Sequence, residues 1–289
     1  MSSAPCISKL ESFGINIEQL ENLISHAFAE DMPEGEDKTT IATIGANQTS
    51  KAYMRARKDG VVAGTCVAAL VFERLGIKSI SYEKECGQEV KAGETILVIE
   101  GNTRDILRSE RIALNFISHL SGIATLTRKW VDAIDGTGAK IRDTRKTTPG
   151  MRQLEKFAVR MGGGINHRMN LSDGAIIKDN HIAASGSITE AVAKVRKEFP
   201  GMELEVEVDN LEQLKEALSA KAEIVLLDNM NLEETKQAVE IANGIGTKLE
   251  SSGGLTIENA RAYASTGVNY LAVGALTHSA PILDIGLDF

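Results

Sequence analysis

The chain is predicted to be an α/β protein, an incomplete α/β barrel preceded by a smaller α+β region. Three observations carry this. From Lys140 onward, six short strand-like runs recur at fairly regular intervals, with helical runs between most of them. That alternation implies parallel strands covered by helices. Polar residues also sit just past nearly every one of these strands, as they do where barrel strands present functional groups at a common rim. A doubly wound open sheet stays open as the alternative, because six strands, with a seventh possible, fall short of a full barrel.

Taken in order, Ile17, Leu20, Leu23, Ile24, Ala27 and Phe28 recur at helical spacing, so residues 16–30 read as an amphipathic helix. The polar stretch 31–40, DMPEGEDKTT, reads as a loop. Residues 51–57 look extended, and GVVAG (60–64) looks like a turn into another element. Residues 79–85 and 94–100 are short β-type runs split by Gly87 and Gly93. Residues 105–119 read as a helix and 123–134 as a second one, separated at Ser121-Gly122. The barrel strands are then expected at 140–142, 175–177, 204–208, 224–227, 248–249 and 270–273. The helices between them are expected at 154–161, 188–199, 211–218, 232–242 and 257–266. The division into domains falls at 1–113 and 114–278, and the apolar tail 279–289 is expected to pack back on the first region.

Composition narrows the function. The net charge is −8 over 289 residues, with 43% hydrophobic, 25% charged and only 4% aromatic residues. This is an ordinary globular balance. It argues against a nucleic-acid or anionic-membrane binder. Three scattered cysteines, no CxxC and no HxxxH make a disulfide framework or a structural zinc site improbable, and a reduced cytoplasmic setting is the default expectation. The start of the chain shows no signal-peptide pattern, and no apolar run approaches bilayer length.

Against that acidic background, residues 139–181 concentrate Arg142, Arg145, Lys146, Arg152, Lys156, Arg160, His167, Arg168 and Lys178. Cations crowded into one segment of an acidic protein suggest a local anion pocket. A single arginine reads most simply as a solvated surface cation. Arg145, Lys146, His167, Arg168 and Lys178, clustered near strand ends, could together hold a ligand with several negative charges, since arginine matches planar carboxylates and phosphates.

Glu207 and Asp228 close two successive strands, which parallel packing would bring to one rim. Facing a basic pocket, such a pair could hold Mg²⁺ for a phosphate-bearing substrate. The plainer alternatives are an alternating strand with one charged face for Glu207, and a helix N-cap for Asp228. Ser251 to Gly254 lies between a strand and a helix, where small residues let backbone N–H groups approach a phosphate. Gly274 offers a second such turn. Neither GxGxxG nor GxxxxGK[ST] occurs.

The stretch RDTRKTTPGMRQLEKFAVRMGGGINHRMNLSDGAIIKDNH resembles the signature of the quinolinate phosphoribosyltransferase family. The likeness continues through SERIALNFISHLSGIATLT, EVEVDN, VLLDN, ESSGG and YLAVGALTHS, and EDMPEGEDKTT resembles the family's acidic-Gly-Asp-Thr segment. The resemblance implies an N-terminal open α/β sandwich and an incomplete seven-stranded barrel. It implies homodimers, or hexamers built from them, whose active sites are completed by a neighbour through Arg57. The implied reaction converts quinolinate and phosphoribosyl pyrophosphate, with Mg²⁺, to nicotinate mononucleotide, pyrophosphate and CO₂, a step of NAD biosynthesis.

By the same resemblance, Arg111, Arg145, His167, Arg168 and Lys178 surround the quinolinate carboxylates. Lys146, Glu207 and Asp228 serve the ribose, pyrophosphate and metal, and Ser252, Gly253, Gly254 and Gly274 grip the 5′-phosphate. Two other readings are a paralogous phosphoribosyltransferase with another acceptor and a non-catalytic barrel that senses an anionic metabolite.

Overall fold

The structure, a computed structural model, describes residues 4–289. Helices α1 (Ala4–Ser12), α2 (Ile17–Asp31) and α3 (Lys38–Thr43) come first. Strands β1 (Thr49–Ala56) and β2 (Gly60–Val61), helix α4 (Thr65–Arg74), and strands β3 (Ser79–Tyr82), β4 (Glu89–Val90) and β5 (Thr95–Asn102) follow. The long helix α5 (Thr103–Ala133) leads to β6 (Lys140–Arg142) and α6 (Arg152–Met161). Then come β7 (Ala175–Ile177), α7 (Asp179–Ser185), α8 (Ile188–Glu198), β8 (Leu204–Val208), α9 (Leu211–Ser219), β9 (Ile224–Asp228) and α10 (Leu232–Ala242). The chain closes with β10 (Lys248–Ser252), α11 (Ile257–Ala264), β11 (Tyr270–Ala272), α12 (Ala275–His278) and β12 (Ile285–Asp288).

Two compact units result. One contains the chain up to Arg128, Thr147–Gly163 and Thr277–Phe289; the other contains Lys129–Lys146 and Gly164–Leu276. The expected boundary at residue 113 lies inside α5, whose residues to Arg128 belong to the first unit.

The first unit holds an antiparallel sheet in the order β12-β1-β5-β3. The C-terminal tail supplies its edge strand, with Tyr53 opposite Asp288 and Ala56 opposite Ile285. Inward-facing Ala52, Met54 and Ala56 of β1 alternate with more exposed residues, the period-two signature of a half-buried strand. Helix α4 is buried through Val67, Ala68, Val71 and Phe72.

Where two helices were expected, α5 runs unbroken through Ser121-Gly122. Both residues are there for packing. The Ser121 hydroxyl accepts the backbone N–H of Ala63 at 2.9 Å. A Cβ on Gly122 would stand 2.2 Å from the carbonyl oxygen of Pro281, so only glycine lets the tail lie against the helix. Helix α3 occupies part of the expected loop; Asp37 caps it by accepting the Thr40 N–H at 3.0 Å.

The second unit has one parallel sheet in the order β6-β11-β10-β9-β8-β7. Strands β7 to β11 lie in chain order and the first strand, β6, pairs with the last, β11. A doubly wound sheet reverses direction at a switch point. Here the strands follow one another around a ring, which makes the unit a barrel. Ile165 adds an isolated parallel bridge to Arg142 on the free side of β6, a rudimentary seventh stave. The outer helices start at polar caps: Ser187, Asn210, Asn231 and Thr256 for α8 to α11. Among the described residues, no helix is long and apolar enough to cross a membrane.

Candidate active site

The inside of the barrel is built by alternation. On β8, Leu204, Val206 and Val208 are buried on one face, and Glu205 and Glu207 share the other. Both faces of a barrel strand are covered, so this charged face is the interior and not a solvated surface. Alternate positions of neighbouring strands (Ile176 and Lys178, Glu207, Leu226 and Asp228, Glu250 and Ser252, Ala272) line one cavity of about 430 Å³. Its remaining walls come from the loop after β6, through Thr144, Arg145 and Lys146, and from His167 and Arg168.

Eight expected site residues thus meet in one cavity: Arg145, Lys146, His167, Arg168, Lys178, Glu207, Asp228 and Ser252. Gly253 and Gly254 follow β10 directly, both left-handed at φ +83° and +62°. A Cβ on Gly253 would stand 2.1 Å from Asn229 Oδ1. The turn can therefore only pass beside β9 as glycine. Gly274 links β11 to α12. Asp228 ends β9 and does not cap the next helix; Asn231 does, with Glu234 completing its capping box.

Arg57 and Arg111 belong to the first unit, Arg57 just past β1 and Arg111 on α5. Arg57 is ion-paired with Asp288 of β12. Of the nine positions singled out in the 139–181 run, Arg152, Lys156 and Arg160 lie on α6 in the first unit, and Lys156 is fully buried. The run contributes to two units, which a count of charge along the chain could not reveal.

Beneath the cavity lies a charged layer whose carboxylates, Glu205 and Glu250, sequence reasoning did not single out. Arg142 Nη1 donates to Glu250 Oε2 at 2.7 Å, and both are buried. His167 Nε2 is 2.9 Å from Glu205 Oε2 and 3.6 Å from Glu250 Oε1. His167 Nδ1 accepts the backbone N–H of Arg168 at 2.7 Å. A ring nitrogen that accepts cannot carry a proton, so His167 is the neutral Nε2–H tautomer and donates to Glu205. Asp143, fully buried, accepts the His167 N–H at 2.7 Å and the Asn166 side-chain amide at 2.6 Å. It fixes the loop that carries His167 and Arg168.

Burial pushes the Glu205 carboxyl up to about 7, against the pull of Arg142 and Arg168. Burial and then the Glu205 charge push Glu250 to about 7 as well. The one available signal was the period-two partnership of Glu205 with Glu207 in EVEVD.

The cavity wall carries two guanidinium groups close together. Burial, and after it the neighbouring Arg145 guanidinium, lowers the pKa of Arg168. Two guanidinium groups that repel each other at a cavity wall favour an anion between them. Lys178 is paired with Glu207, so one cation is already matched to the carboxylate beside Asp228.

Comparison with known proteins gives the family. Residues 37–121 match the sequence model of the quinolinate phosphoribosyl transferase N-terminal domain, and residues 123–288 match that of its C-terminal domain. The chain belongs to the quinolinate phosphoribosyl transferase family. It is 50% identical to a carboxylating nicotinate-nucleotide pyrophosphorylase of Mycobacterium leprae (strain TN), over 92% of this chain and 95% of that one. A probable carboxylating nicotinate-nucleotide pyrophosphorylase of Bacillus subtilis (strain 168) is 43% identical, over 93% of each. The nicotinate-nucleotide pyrophosphorylase structure from Francisella tularensis superposes with a TM-score of 0.91 at 39% identity, covering 95% of this chain and 97% of that one. The family's incomplete barrel is the ring of six strands and one bridge described above.

Proposed function

We propose that this member of the family is a quinolinate phosphoribosyltransferase. It would join quinolinate to phosphoribosyl pyrophosphate and release pyrophosphate and CO₂ to leave nicotinate mononucleotide. The observation that carries the reading is the convergence of Arg145, Lys146, Arg168 and Lys178 on one cavity that also holds Glu207 and Asp228. Both substrates are multiply anionic, and bringing them together in a confined site requires fixed positive charge.

In this reading Arg145 and Arg168 clamp the two carboxylates of the pyridine ring, each through paired N–H donors. His167, neutral and donating to Glu205, contributes shape and a fixed dipole, not charge. Clamping aims the pyridine nitrogen at the anomeric carbon, so the arginines act chiefly by positioning. Lys146 would neutralise the departing pyrophosphate. Glu207 and Asp228 would face the positive charge that builds on the ribose as the bond to pyrophosphate lengthens. Loss of CO₂ would leave the bonding pair on the ring carbon beside the new pyridinium nitrogen, whose positive charge stabilises it, until a proton from solvent replaces the lost carboxylate; no protein nucleophile is required. Ser252 and the left-handed Gly253-Gly254 turn, with Gly274, would hold the 5′-phosphate through backbone N–H groups.

The donor set also suits magnesium. Glu207 and Asp228 are two oxygen-bearing carboxylates lining one cavity, and Mg²⁺ is typically held by one or two carboxylates together with substrate phosphates. When bound, the ion would neutralise charge on the pyrophosphate group. The resemblance supports a homodimer, or a hexamer of dimers, in which Arg57 of one chain serves its neighbour's site. The free thiol state of all three cysteines is compatible with a reduced, cytoplasmic setting.

The test is turnover of carboxyl-labelled quinolinate with phosphoribosyl pyrophosphate and Mg²⁺. Labelled CO₂ and nicotinate mononucleotide in equal amounts are expected. Turnover of nicotinate alone would point to a different acceptor, and tight binding without turnover to an anion sensor.

A further inference from the structure

Arg168 is tied down by the residue before it and by the segment that follows it. Its backbone N–H donates to His167 Nδ1 at 2.7 Å. Its side-chain Nη1 donates to the carbonyl oxygen of Gly174 at 2.8 Å, across the loop 168–174. A further tie comes from Asp173, whose Oδ2 accepts the backbone N–H groups of Met169 at 2.6 Å and Asn170 at 3.2 Å. Asn170 Oδ1 in turn accepts the Ser172 N–H at 2.7 Å. The chain thus leaves Arg168 and returns to Gly174, just before β7, as a ring stapled by one carboxylate oxygen.

These ties matter because the Arg168 guanidinium stands where electrostatics disfavours it. It lines the cavity beside Arg145. Burial and then the Arg145 charge work against its own charge, while Glu205 and Asp173 act in the opposite sense. An arginine on a free loop would relieve the repulsion by swinging away. Holding it needs a fixed acceptor for the guanidinium and a fixed backbone beneath it. Gly174 supplies the first and Asp173 the second. The attachment also decides which edge is presented. Nη1 is taken by Gly174, and Nε is buried with no hydrogen-bond partner among the described residues. The edge formed by Nε and Nη2 is therefore the one left for a paired grip on a carboxylate. Asp173 does not line the catalytic cavity, so it reaches the substrate through Arg168.

We propose that Asp173 is a positioning residue for substrate choice: it staples the 168–174 loop so that Arg168 keeps one guanidinium edge beside Arg145, and it thereby sets the preference for a dicarboxylate ring over a monocarboxylate one. The inference rests on the reading of Arg145 and Arg168 as the carboxylate clamp. A bond that only closed a loop would affect stability and leave the choice of acceptor alone. Without the staple, Met169 and Asn170 exchange their bond to Asp173 for water, the start of the loop gains freedom, and Arg168 yields to Arg145. The clamp then falls back to one arginine, which serves one carboxylate and not two.

The experiment measures binding of quinolinate and of nicotinate to the full chain by calorimetry, together with the steady-state KM for each substrate of the quinolinate reaction. Asp173→Ala removes the staple. It is expected to weaken quinolinate about tenfold, the scale of one charge-assisted hydrogen bond, while nicotinate affinity and the KM for phosphoribosyl pyrophosphate stay within about twofold. Asp173→Asn offers an amide oxygen in the same place without the charge, and is expected to recover most of the loss. Amide hydrogen exchange at Met169 and Asn170 should be fast in Asp173→Ala and slow in the parent and in Asp173→Asn. A parent chain with no preference for quinolinate would sink the clamp reading and this assignment with it. A parental preference that survives in Asp173→Ala would overturn the role of Asp173 alone. So would an equal loss for both acids and phosphoribosyl pyrophosphate, the mark of lost local structure. An Asn variant as weak as the Ala variant would overturn the staple as the cause.

Discussion

His167 donates its Nε2–H to Glu205 at 2.9 Å while its Nδ1 accepts the backbone N–H of the next residue, Arg168. The ring is held at both ends. Nitrogen NMR of ring-labelled protein at neutral pH should show a protonated Nε2 and a bare Nδ1 for His167. An imidazolium signal would contradict the arrangement. Glu205→Gln preserves an acceptor for this bond and should fold. Glu205→Leu leaves a buried N–H unpaired and should cost about 1–3 kcal/mol in urea unfolding.

Glu250 links stability to pH. Its ordinary value is 4.5, and burial, with the nearby Glu205 charge, holds it at about 7 against the pull of Arg142. The folded state therefore binds this proton more tightly than the unfolded chain. The resulting stability is complete below about pH 4.5 and is lost as pH rises through about 7, a span on the order of 3 kcal/mol. Glu250→Gln cannot titrate, so its unfolding free energy should fall less than that of the parent chain between about pH 5 and pH 8. Parallel curves for the two proteins would show that Glu250 does not titrate in this range.

Gly122 is expected to be intolerant. A Cβ there meets backbone atoms of Pro281 and Ile282 at 2.2 and 2.9 Å, and neither can move like a side chain. Gly122→Ala should destabilise the first unit by about 2–3 kcal/mol, the usual scale of overpacking. A change within about 0.5 kcal/mol would mean that the tail is readily displaced.

Much of this was legible from the residues alone. Strands β6, β7 and β8 coincide with the expected runs 140–142, 175–177 and 204–208, because short apolar-bearing runs between helical repeats have few other readings. Asp228 and Asn231 show where such reading stops: both are polar residues near a helix start, and only the backbone tells which one caps. The break expected at Ser121-Gly122 had the same limit. Small residues mark either an interruption or a close contact, and the contact partner, Pro281, lies far along the chain. The buried carboxylates Glu205 and Glu250 stayed hidden because a charged residue in a strand looks solvent-facing until the sheet closes on itself.

A shared active site makes a complementation prediction. Arg57→Ala and Lys146→Ala chains should each be nearly inactive. Mixed under conditions where subunits exchange, they should recover up to about a quarter of parental activity, since random pairing leaves one intact site in half of the dimers. No recovery despite demonstrated exchange would place Arg57 outside the neighbour's site.

The central claim is that the repelling pair Arg145 and Arg168 is built to receive two carboxylates at once. Calorimetric titration of the protein with quinolinate and with nicotinate tests this most directly. The account predicts that quinolinate binds at least about tenfold more tightly, and that Arg145→Ala removes most of that preference while the protein stays folded. Equal affinity for the two acids, or a preference that survives Arg145→Ala, would contradict it.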